Sequence, residues 1–283
     1  MARRRLGLRN PTPMPGWALS FGIMVTMLSA IVLIPMAVLL WRGFAGFGPG
    51  AMWEVVNRPR VWSALELSFR AAVVASLFNL VFGVMLAWVL VRYRFPGKRL
   101  IDAAVDLPFA LPTAVAGIAL TAIYAPTGAL GAPLGAIFGI RVAYTELGIW
   151  IALIFVGLPF VVRTVQPVIE EIDRETEEAS ATLGATRLRT ITRVILPMLV
   201  PAALTGFALA LARSVGEYGS VIFIAGNLPN VTEIAPLLIV IRLEEFDYDG
   251  AVAIAIAMLA ISFALLLAIN LMQLWSRRRM GAA

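Results

Sequence analysis

Two groups of charged residues in this sequence have types and spacing suited to physical work. Arg213 and Glu217 lie four residues apart within an apolar stretch, and residues 170–178 form an acidic segment rich in helix formers. Residues four apart share one face of a helix, so Arg213 and Glu217 can form an ion pair. An arginine at the centre of a membrane helix costs about 2.5–3.5 kcal/mol to insert, which favours a position against protein or a water-filled cavity.

Most enzyme chemistry is excluded by the composition. The 283 residues include no histidine and no cysteine, so the commonest general base and the thiol nucleophile are absent. The single lysine, Lys98, does not belong to the Gly-x-x-x-x-Gly-Lys-Ser/Thr pattern of an ATP-binding loop. We therefore expect no catalytic residue, no metal and no cofactor on this chain, and an intramembrane enzyme is disfavoured.

The apolar content predicts a membrane protein. Hydrophobic residues make up 60% of the chain and charged residues 14%, against about 45–50% and about 25% in soluble domains. A spanning helix needs about 20 mostly apolar residues. The sequence therefore predicts an all-α integral membrane protein of a single transmembrane domain, residues 1–283. The six predicted transmembrane helices are 17–41, 62–91, 103–124, 145–165, 198–224 and 250–275.

The basic residues predict how these helices are oriented. With both termini cytoplasmic, sixteen basic residues lie on the inside and five on the outside, which is the usual positive-inside bias. The net charge of +6 therefore indicates topology, and we expect no nucleic-acid partner. The first apolar stretch is longer than the core of a signal peptide and has no cleavage site after it, so we expect it to be retained. The sixteen predicted inside residues are Arg3, Arg4, Arg5, Arg9, Arg92, Arg94, Lys98, Arg99, Arg163, Arg174, Arg187, Arg189, Arg193, Arg277, Arg278 and Arg279.

The longest predicted cytoplasmic connection runs from about residue 163 to 197. Its acidic part predicts a helix that ends at Gly184, because glycine suits the position after a helix C-terminus. A second, basic helical segment is predicted over 186–195, before Pro197. The simplest interpretation is a solvated helical hairpin.

The spacing in this hairpin resembles the EAA signature of ABC-importer permeases. Glu178-Ala179-Ser180 is followed by three residues, Gly184, nine residues, Val194, one residue and Leu196-Pro197. Ser180 and Val194 depart from the alanine and isoleucine of the signature, and both keep its small or β-branched character. In that family this element is the coupling helix, which docks on a nucleotide-binding subunit. The resemblance implies that Glu178, Ala179, Ser180 and Gly184 couple the chain to an ATPase.

Further blocks resemble the T-type sulfate/thiosulfate permeases. They lie at 92–97, 106–117, 158–168, 213–219, 221–227 and 242–248. Molybdate and tungstate permeases share the Gly216-Glu217-Tyr218-Gly219 block and the EAA element, so they remain an alternative. Phe95-Pro96-Gly97, Ile224-Ala225-Gly226-Asn227 and Glu245-Phe246-Asp247-Tyr248 favour sulfate.

The resemblance implies a type I ABC importer permease fold in the bacterial inner membrane. The implied partners are a second, homologous permease that completes a heterodimer, two ATP-binding cassette subunits and an extracytoplasmic sulfate-binding protein. ATP and Mg would be bound by the partner ATPase, and membrane lipid would surround the helices. A self-sufficient anion carrier that does not use ATP is the alternative from a different functional class.

Several polar residues inside the predicted spans are candidates for the anion pathway. Pro108 and Pro112 interrupt the helix ladder of the third span, and breaks at membrane depth are tolerated where they line a cavity or are buried in protein. Thr113 could then contact a passing oxyanion, with Arg213, Ser214 and Glu217 as further pathway candidates. The alternatives are a simple kink at the prolines and a packed ion pair that only orients its helix. Glu66 and Arg70 predict a second pair of the same spacing.

Overall fold

The computed structural model describes residues 17–280, and all regular structure in that range is helical, which confirms the all-α prediction. Of the predicted inside residues, Arg3, Arg4, Arg5 and Arg9 lie outside the described residues. The α-helices, in chain order, are α1 (Trp17–Leu28), α2 (Ile34–Trp41), α3 (Pro49–Val56), α4 (Pro59–Arg92), α5 (Lys98–Val105), α6 (Leu107–Ala110), α7 (Thr113–Tyr124), α8 (Gly131–Phe138), α9 (Glu146–Glu171), α10 (Arg174–Thr182), α11 (Arg187–Thr190), α12 (Leu196–Val215), α13 (Val221–Ile224), α14 (Ala235–Glu244) and α15 (Tyr248–Met280).

The chain divides into two units, with the boundary after Met52. In the first unit, π-helical turns at Ser29–Leu33 and Arg42–Phe47 continue α1 and α2. Together they form one 29-residue apolar helix, Leu19–Phe47, whose most apolar 18 residues have a mean hydropathy of 2.6. The first predicted span, 17–41, is thus helical, and the helix extends six residues beyond it.

The second unit contains four more helices that are long and apolar enough to cross a membrane. They are Pro59–Arg92, Glu146–Glu171, Arg187–Val215 and Tyr248–Leu274. Side chains from α4, α9 and α12 form a buried apolar core that includes Leu90, Val161, Val165, Ile169 and Leu199. Each of these helices also exposes apolar side chains on its outer face, as lipid-facing helices do.

The three core helices have a defined direction. Arg70, in the first half of α4, contacts Glu146 at the start of α9. Arg92, at the end of α4, contacts Ile172 just after the end of α9. These two helices therefore run parallel. Contact between Gly206 and Val161 places the middle of α12 beside α9. A Cβ on Gly206 would lie 2.9 Å from the Cα of Val161, so glycine is what allows this close approach.

The third predicted span, 103–124, is not one continuous helix, and the interruption lies at the prolines that predicted it. It consists of the end of α5, the short α6 and the 12-residue α7. Leu111 and Pro112 are extended, with ψ near 135°. Proline disfavours a helical conformation at the residue before it and cannot donate a backbone hydrogen bond, so Pro112 accounts for the break that its position predicted.

The fifth predicted span, 198–224, was also wrong as a continuous helix. α12 ends at Val215, and residues 216–220 are not helical before the short α13. The carboxylate of Glu217 accepts hydrogen bonds from the backbone N–H of Ser220 at 2.8 Å and from its hydroxyl at 2.9 Å. This local side-chain bonding stabilises a non-helical turn that the apolar pattern does not indicate.

The connection predicted over 163–197 is shorter in the structure. α9 continues through Pro167 to Glu171, because Val165 and Ile169 keep packing in the core beyond the predicted end of the span. At the other side, α11 continues through the π-helical turn Ile191–Ile195 into α12, so the basic segment is the first part of a spanning helix. The end of the bundle where α4 and α9 end is called the hairpin end below.

Candidate functional site

The hairpin, residues 173–195, has a helix end of the kind that glycine makes possible. Gly184 follows α10 with φ of +78°, a left-handed conformation that glycine adopts without steric penalty. Its N–H donates to the carbonyl of Ala181 at 2.9 Å, and the N–H of Ala185 donates to the carbonyl of Ser180 at 3.1 Å. This pair of bonds is a Schellman motif, which ends α10 and turns the chain towards α11. The predicted helix end at Gly184 is therefore present, and the role of Gly184 in coupling stays a prediction.

Two of the four predicted coupling residues, Glu178 and Ala179, are exposed on the hairpin, whereas Ser180 and Gly184 contribute to its internal structure. Glu178 and Ala179 are exposed on α10, where a partner protein can reach them. Ser180 is half-buried, and its hydroxyl lies 2.8 Å from the hydroxyl of Thr190, which joins the two arms of the hairpin. Sequence reasoning missed Leu183, which is 88% exposed at the tip. Leu188 on α11 is also 72% exposed, so the hairpin presents apolar side chains as well as Glu178 on its surface.

Arg92 attaches the hairpin to the end of α4. Its Nη2 atom lies 3.0 Å from Oε1 of Glu177 and donates to the carbonyl of Ile172 at 2.8 Å, while its guanidinium lies 5.3 Å from the ring centre of Trp88. Glu177 therefore faces the bundle, and its neighbour Glu178 stays exposed. A pocket of about 390 Å³ lies between this end of α4 and the hairpin, with Glu178 in its lining.

Arg213 and Glu217 form the predicted ion pair. Nη1 of Arg213 lies 2.5 Å from Oε2 of Glu217, with 34% of the arginine side chain and 2% of the glutamate side chain exposed. The glutamate is therefore buried and held from two sides, by Arg213 and by Ser220. The arginine side chain keeps part of its surface accessible.

Thr113 lies at the point where the two helix breaks meet. A Cβ on Gly219 would collide with the hydroxyl of Thr113, and a Cβ on Gly117 would lie 2.5 Å from the carbonyl oxygen of Ser220. The start of α7 and the turn at 216–220 are thus in direct backbone contact. Thr113 therefore contacts the same turn, 216–220, whose conformation is held by the hydrogen bonds between Ser220 and Glu217.

This close contact predicts that Gly117→Ala destabilises the protein. The added methyl group has to displace the backbone at Ser220, and such overpacking costs about 1–3 kcal/mol. Gly216→Ala is the matched control, because a Cβ there meets nothing within 4 Å. Thermal unfolding in detergent should show a lower Tm for Gly117→Ala and an unchanged Tm for Gly216→Ala. Equal Tm values for the two variants would contradict the contact.

Ser214, the fourth predicted pathway residue, lies in a buried polar cluster that sequence reasoning missed. Its hydroxyl and the side chains of Ser76 and Asn79 on α4 have no hydrogen-bond partner among the described residues. A Cβ on Gly157 would lie 2.6 Å from Nδ2 of Asn79 and 3.5 Å from Oγ of Ser214. The interface between α4, α9 and α12 therefore contains buried polar atoms without hydrogen-bond partners among the described residues, and one of them belongs to Ser214, the residue after Arg213.

Other ion pairs join segments that are distant in the sequence. Arg60 donates to both carboxylate oxygens of Glu233, at 2.8 and 2.7 Å. The predicted pair of Glu66 with Arg70 is long, at 3.9 Å, and Arg70 lies closer to Glu146, at 3.2 Å.

Another ion cluster centres on Arg163, whose guanidinium binds Asp102 and Asp106 at the hairpin end. The hydrogen bond from Arg163, reinforced by one from Gln166, holds the pKa of Asp102 below its usual value. The contribution of this ionised carboxylate to the free energy of unfolding is therefore complete at neutral pH, and it is lost only as the pH falls through the lowered pKa.

Among the described residues, no group of three or more His, Cys, Asp or Glu side chains could hold a metal ion.

The fold and the site together define a multi-pass membrane protein with an exposed helical hairpin at one end of its bundle. Residues 79–282 match the family described as binding-protein-dependent transport system inner membrane component. The chain therefore belongs to this family of inner membrane transport components.

Characterised relatives are similar over almost their whole length. The sulfate transport system permease protein CysT of Salmonella typhimurium is 49% identical over 268 residues, which cover 95% of this chain and 96% of that protein. The protein of the same name from Escherichia coli is 50% identical over 260 residues, covering 92% and 93%. The resemblance seen in the sequence motifs therefore extends over nearly the full chain.

The solved structures agree with the fold. A bacterial alginate ABC transporter, crystallised in complex with an alginate pentasaccharide-bound periplasmic protein, contains a chain that matches with a TM-score of 0.74 at 19% identity. The match covers 91% of this chain and 94% of that chain. At this identity the likeness concerns the fold, which is that of an ABC transporter permease.

Proposed function

We propose that this chain is the permease subunit of an ABC importer that moves sulfate, and thiosulfate with it, inward across the cytoplasmic membrane. The observation that carries the proposal is the identity of about one half to sulfate transport permeases over nearly the whole chain. ATP hydrolysis in a separate subunit drives the transport. The exposed hairpin, with Glu178 and Ala179 on its surface, supports a permease that docks on a separate ATPase subunit.

The complete transporter, in this proposal, contains several chains. A second, homologous permease completes the transmembrane pathway, two ATP-binding cassette subunits bind ATP and Mg, and an extracytoplasmic sulfate-binding protein delivers the anion. The hairpin end then faces the cytoplasm together with both termini, as the distribution of basic residues predicts. The whole chain acts as one transmembrane domain within this complex.

The transport step follows from the way the hairpin is built into the spanning helices. Docking of the cassette subunits on the hairpin transmits their closure to α9 and α12, because both helices lead directly into it. Closure on ATP opens the pathway to the outside, and hydrolysis resets it towards the cytoplasm. Binding energy from ATP thus changes the relative populations of two conformations of the permease pair.

The meeting point of the two helix breaks is our candidate for the anion pathway. A doubly charged anion in a membrane needs positive potential and hydrogen-bond donors. Arg213 supplies charge on a side chain that is one third exposed, and Thr113 and Ser214 supply hydroxyl groups. Glu217 holds the guanidinium in position.

Uptake of labelled sulfate by the complex reconstituted in liposomes tests this proposal. We expect uptake that requires ATP, the cassette subunits and the binding protein, and that excess thiosulfate inhibits. Excess molybdate should compete weakly, and strong competition would instead favour a molybdate or tungstate permease. Sulfate movement by this chain without the ATPase would favour an ATP-independent carrier and contradict the proposal.

A further inference from the structure

One arginine in α9 uses all its hydrogen-bond donors on the broken third span and its own helix. The guanidinium of Arg163 donates from Nε and Nη2 to the two carboxylate oxygens of Asp106, at 2.8 and 2.6 Å. It donates from Nη1 to Oδ1 of Asp102 at 2.7 Å and from Nη2 to the carbonyl of Asp102 at 2.9 Å. The remaining Nη1 donor binds Oε1 of Gln166 at 2.6 Å. Because a guanidinium has five N–H donors, its capacity is saturated.

The charges around this arginine are nearly balanced. Asp102 and Asp106 carry two negative charges against the one positive charge of Arg163, and Lys98 lies one helical turn before Asp102 and acts on it electrostatically. Gln166 adds a second hydrogen bond to Asp102, at 3.4 Å. A planar guanidinium bound through two atoms to one carboxylate fixes orientation as well as distance. The cluster therefore holds α5 and the start of α6 in one defined position on α9.

Apolar packing alone holds this segment weakly. Leu100, Leu107 and Phe109 are each exposed by 46% or more. Val105 is the buried contribution of α5 to the core, and Phe109 makes an edge contact with Phe160, with ring centres 5.2 Å apart. The attachment of α5 and α6 to α9 thus depends to a large extent on the arginine.

The two elements that Arg163 joins lead to the two functional parts of the chain. α9 ends eight residues after Arg163 and passes directly into the hairpin. α6 leads through Leu111 and Pro112 to Thr113, which lies against Gly219 at the meeting point of the helix breaks. A displacement of α9 by the hairpin is therefore carried to the segment that precedes the candidate pathway.

We infer that Arg163 is the positioning residue that makes the broken third span move together with the hairpin during transport. This inference rests on the proposed function. It assigns Arg163, Asp102 and Asp106 a part in coupling ATP hydrolysis to transport, in addition to stabilising the fold. Without the arginine, α9 can move while α5 and α6 stay behind, so ATP is hydrolysed without opening the pathway.

The ratio of sulfate transported to ATP hydrolysed tests the inference in the reconstituted complex. Arg163→Gln should lower this ratio at least tenfold while ATP hydrolysis stays within twofold of the wild type. Arg99→Gln, which removes an exposed positive charge from the neighbouring α5, should leave the ratio unchanged. The exchange of charges in the double variant Arg163→Asp/Asp106→Arg should restore part of the ratio lost in Arg163→Gln. If uptake and hydrolysis fall by the same factor, Arg163 only holds the fold and the inference is wrong.

A distance measurement gives a second test that does not depend on transport. The chain contains no cysteine, so Leu100→Cys on α5 and Glu170→Cys on α9 provide two exposed labelling sites, with the partner subunits also made free of cysteine. Electron paramagnetic resonance should give one narrow distance distribution, equal in the nucleotide-free and ATP-bound complexes. Addition of Arg163→Gln should broaden it or make it change with nucleotide.

The two tests fail in different ways. An unchanged distance distribution in the Arg163→Gln complex would overturn the inference. A wild-type complex that binds nucleotide but moves no sulfate would contradict the proposed function, and the distance measurement would still decide whether Arg163 holds the two elements together.

Discussion

Glu178→Lys is expected to reduce ATP-driven sulfate uptake by at least about a hundredfold while the chain still inserts in the membrane. Glu178 is exposed on α10, and the bundle does not need it, because the neighbouring Glu177 makes the contact with Arg92. We expect the proposed ATPase to meet Glu178 with a basic residue. A positive charge placed against that residue costs several kcal/mol, and each 1.4 kcal/mol weakens binding tenfold. Uptake by reconstituted complex and co-purification of the cassette subunits measure the effect.

Glu175→Lys is the matched control for this change. Glu175 is exposed on the same helix and undergoes the same reversal of charge, but it lies outside the EAA-like spacing. We expect near-normal uptake and normal recovery of the cassette subunits. If both variants lose uptake equally, the effect is one of overall hairpin charge, and the specific role of Glu178 is wrong.

Arg213→Gln is expected to have the second large effect, through the glutamate that it leaves behind. Glu217 has only 2% of its side chain exposed, and removing one partner of a buried pair costs about 3–5 kcal/mol. The bonds from Ser220 remain, so we expect a loss near the lower end of that range. Thermal unfolding of the purified complex should show a clearly lower Tm.

The double variant Arg213→Gln/Glu217→Gln separates stability from transport. An amide in place of Glu217 still accepts hydrogen bonds from Ser220 and leaves no unpaired charge, so we expect the Tm to recover. If Arg213 supplies positive potential to the anion, uptake stays at least tenfold below the wild type. Uptake within twofold of the wild type would mean that the pair is only structural.

The pair of Glu66 and Arg70 provides a control for the loss of a glutamate charge from an ion pair. It has the same spacing, but it is long at 3.9 Å and both side chains are more than half exposed. Exposed pairs of this kind contribute about 0–1 kcal/mol. Glu66→Gln, which leaves Arg70 in place for its contact with Glu146, should therefore leave both Tm and uptake close to the wild type.

Features with local physical causes were predictable from the sequence. The end of α10 at Gly184 follows from the conformational freedom of glycine, and the Arg213–Glu217 pair follows from a spacing of four residues. The break before Thr113 follows from the chemistry of Pro112. In each case the residues that make the contact are near neighbours in the chain.

Features that depend on tertiary contacts were not predictable in the same way. Arg163 reaches Asp102 and Asp106 across about sixty residues, and a count of basic residues treats it only as a topology signal. The end of α12 at Val215 is hidden because the four-residue spacing of Arg213 and Glu217 is equally compatible with a helix that continues through both residues. Its cause, the carboxylate of Glu217 bonded to a backbone N–H, is visible only in the folded chain.

The unbroken run from α11 into α12 has a consequence for the amplitude of movement. Arg187–Val215 is one 29-residue helix, about 43 Å long at a rise of about 1.5 Å per residue. A rotation of about 5° around its hairpin end would shift the far end by roughly 4 Å, which is about the separation of two carbon atoms in contact. A small rotation at the end where the proposed ATPase would dock is therefore enough to separate Gly219 from Thr113, and large movements of the hairpin are not required.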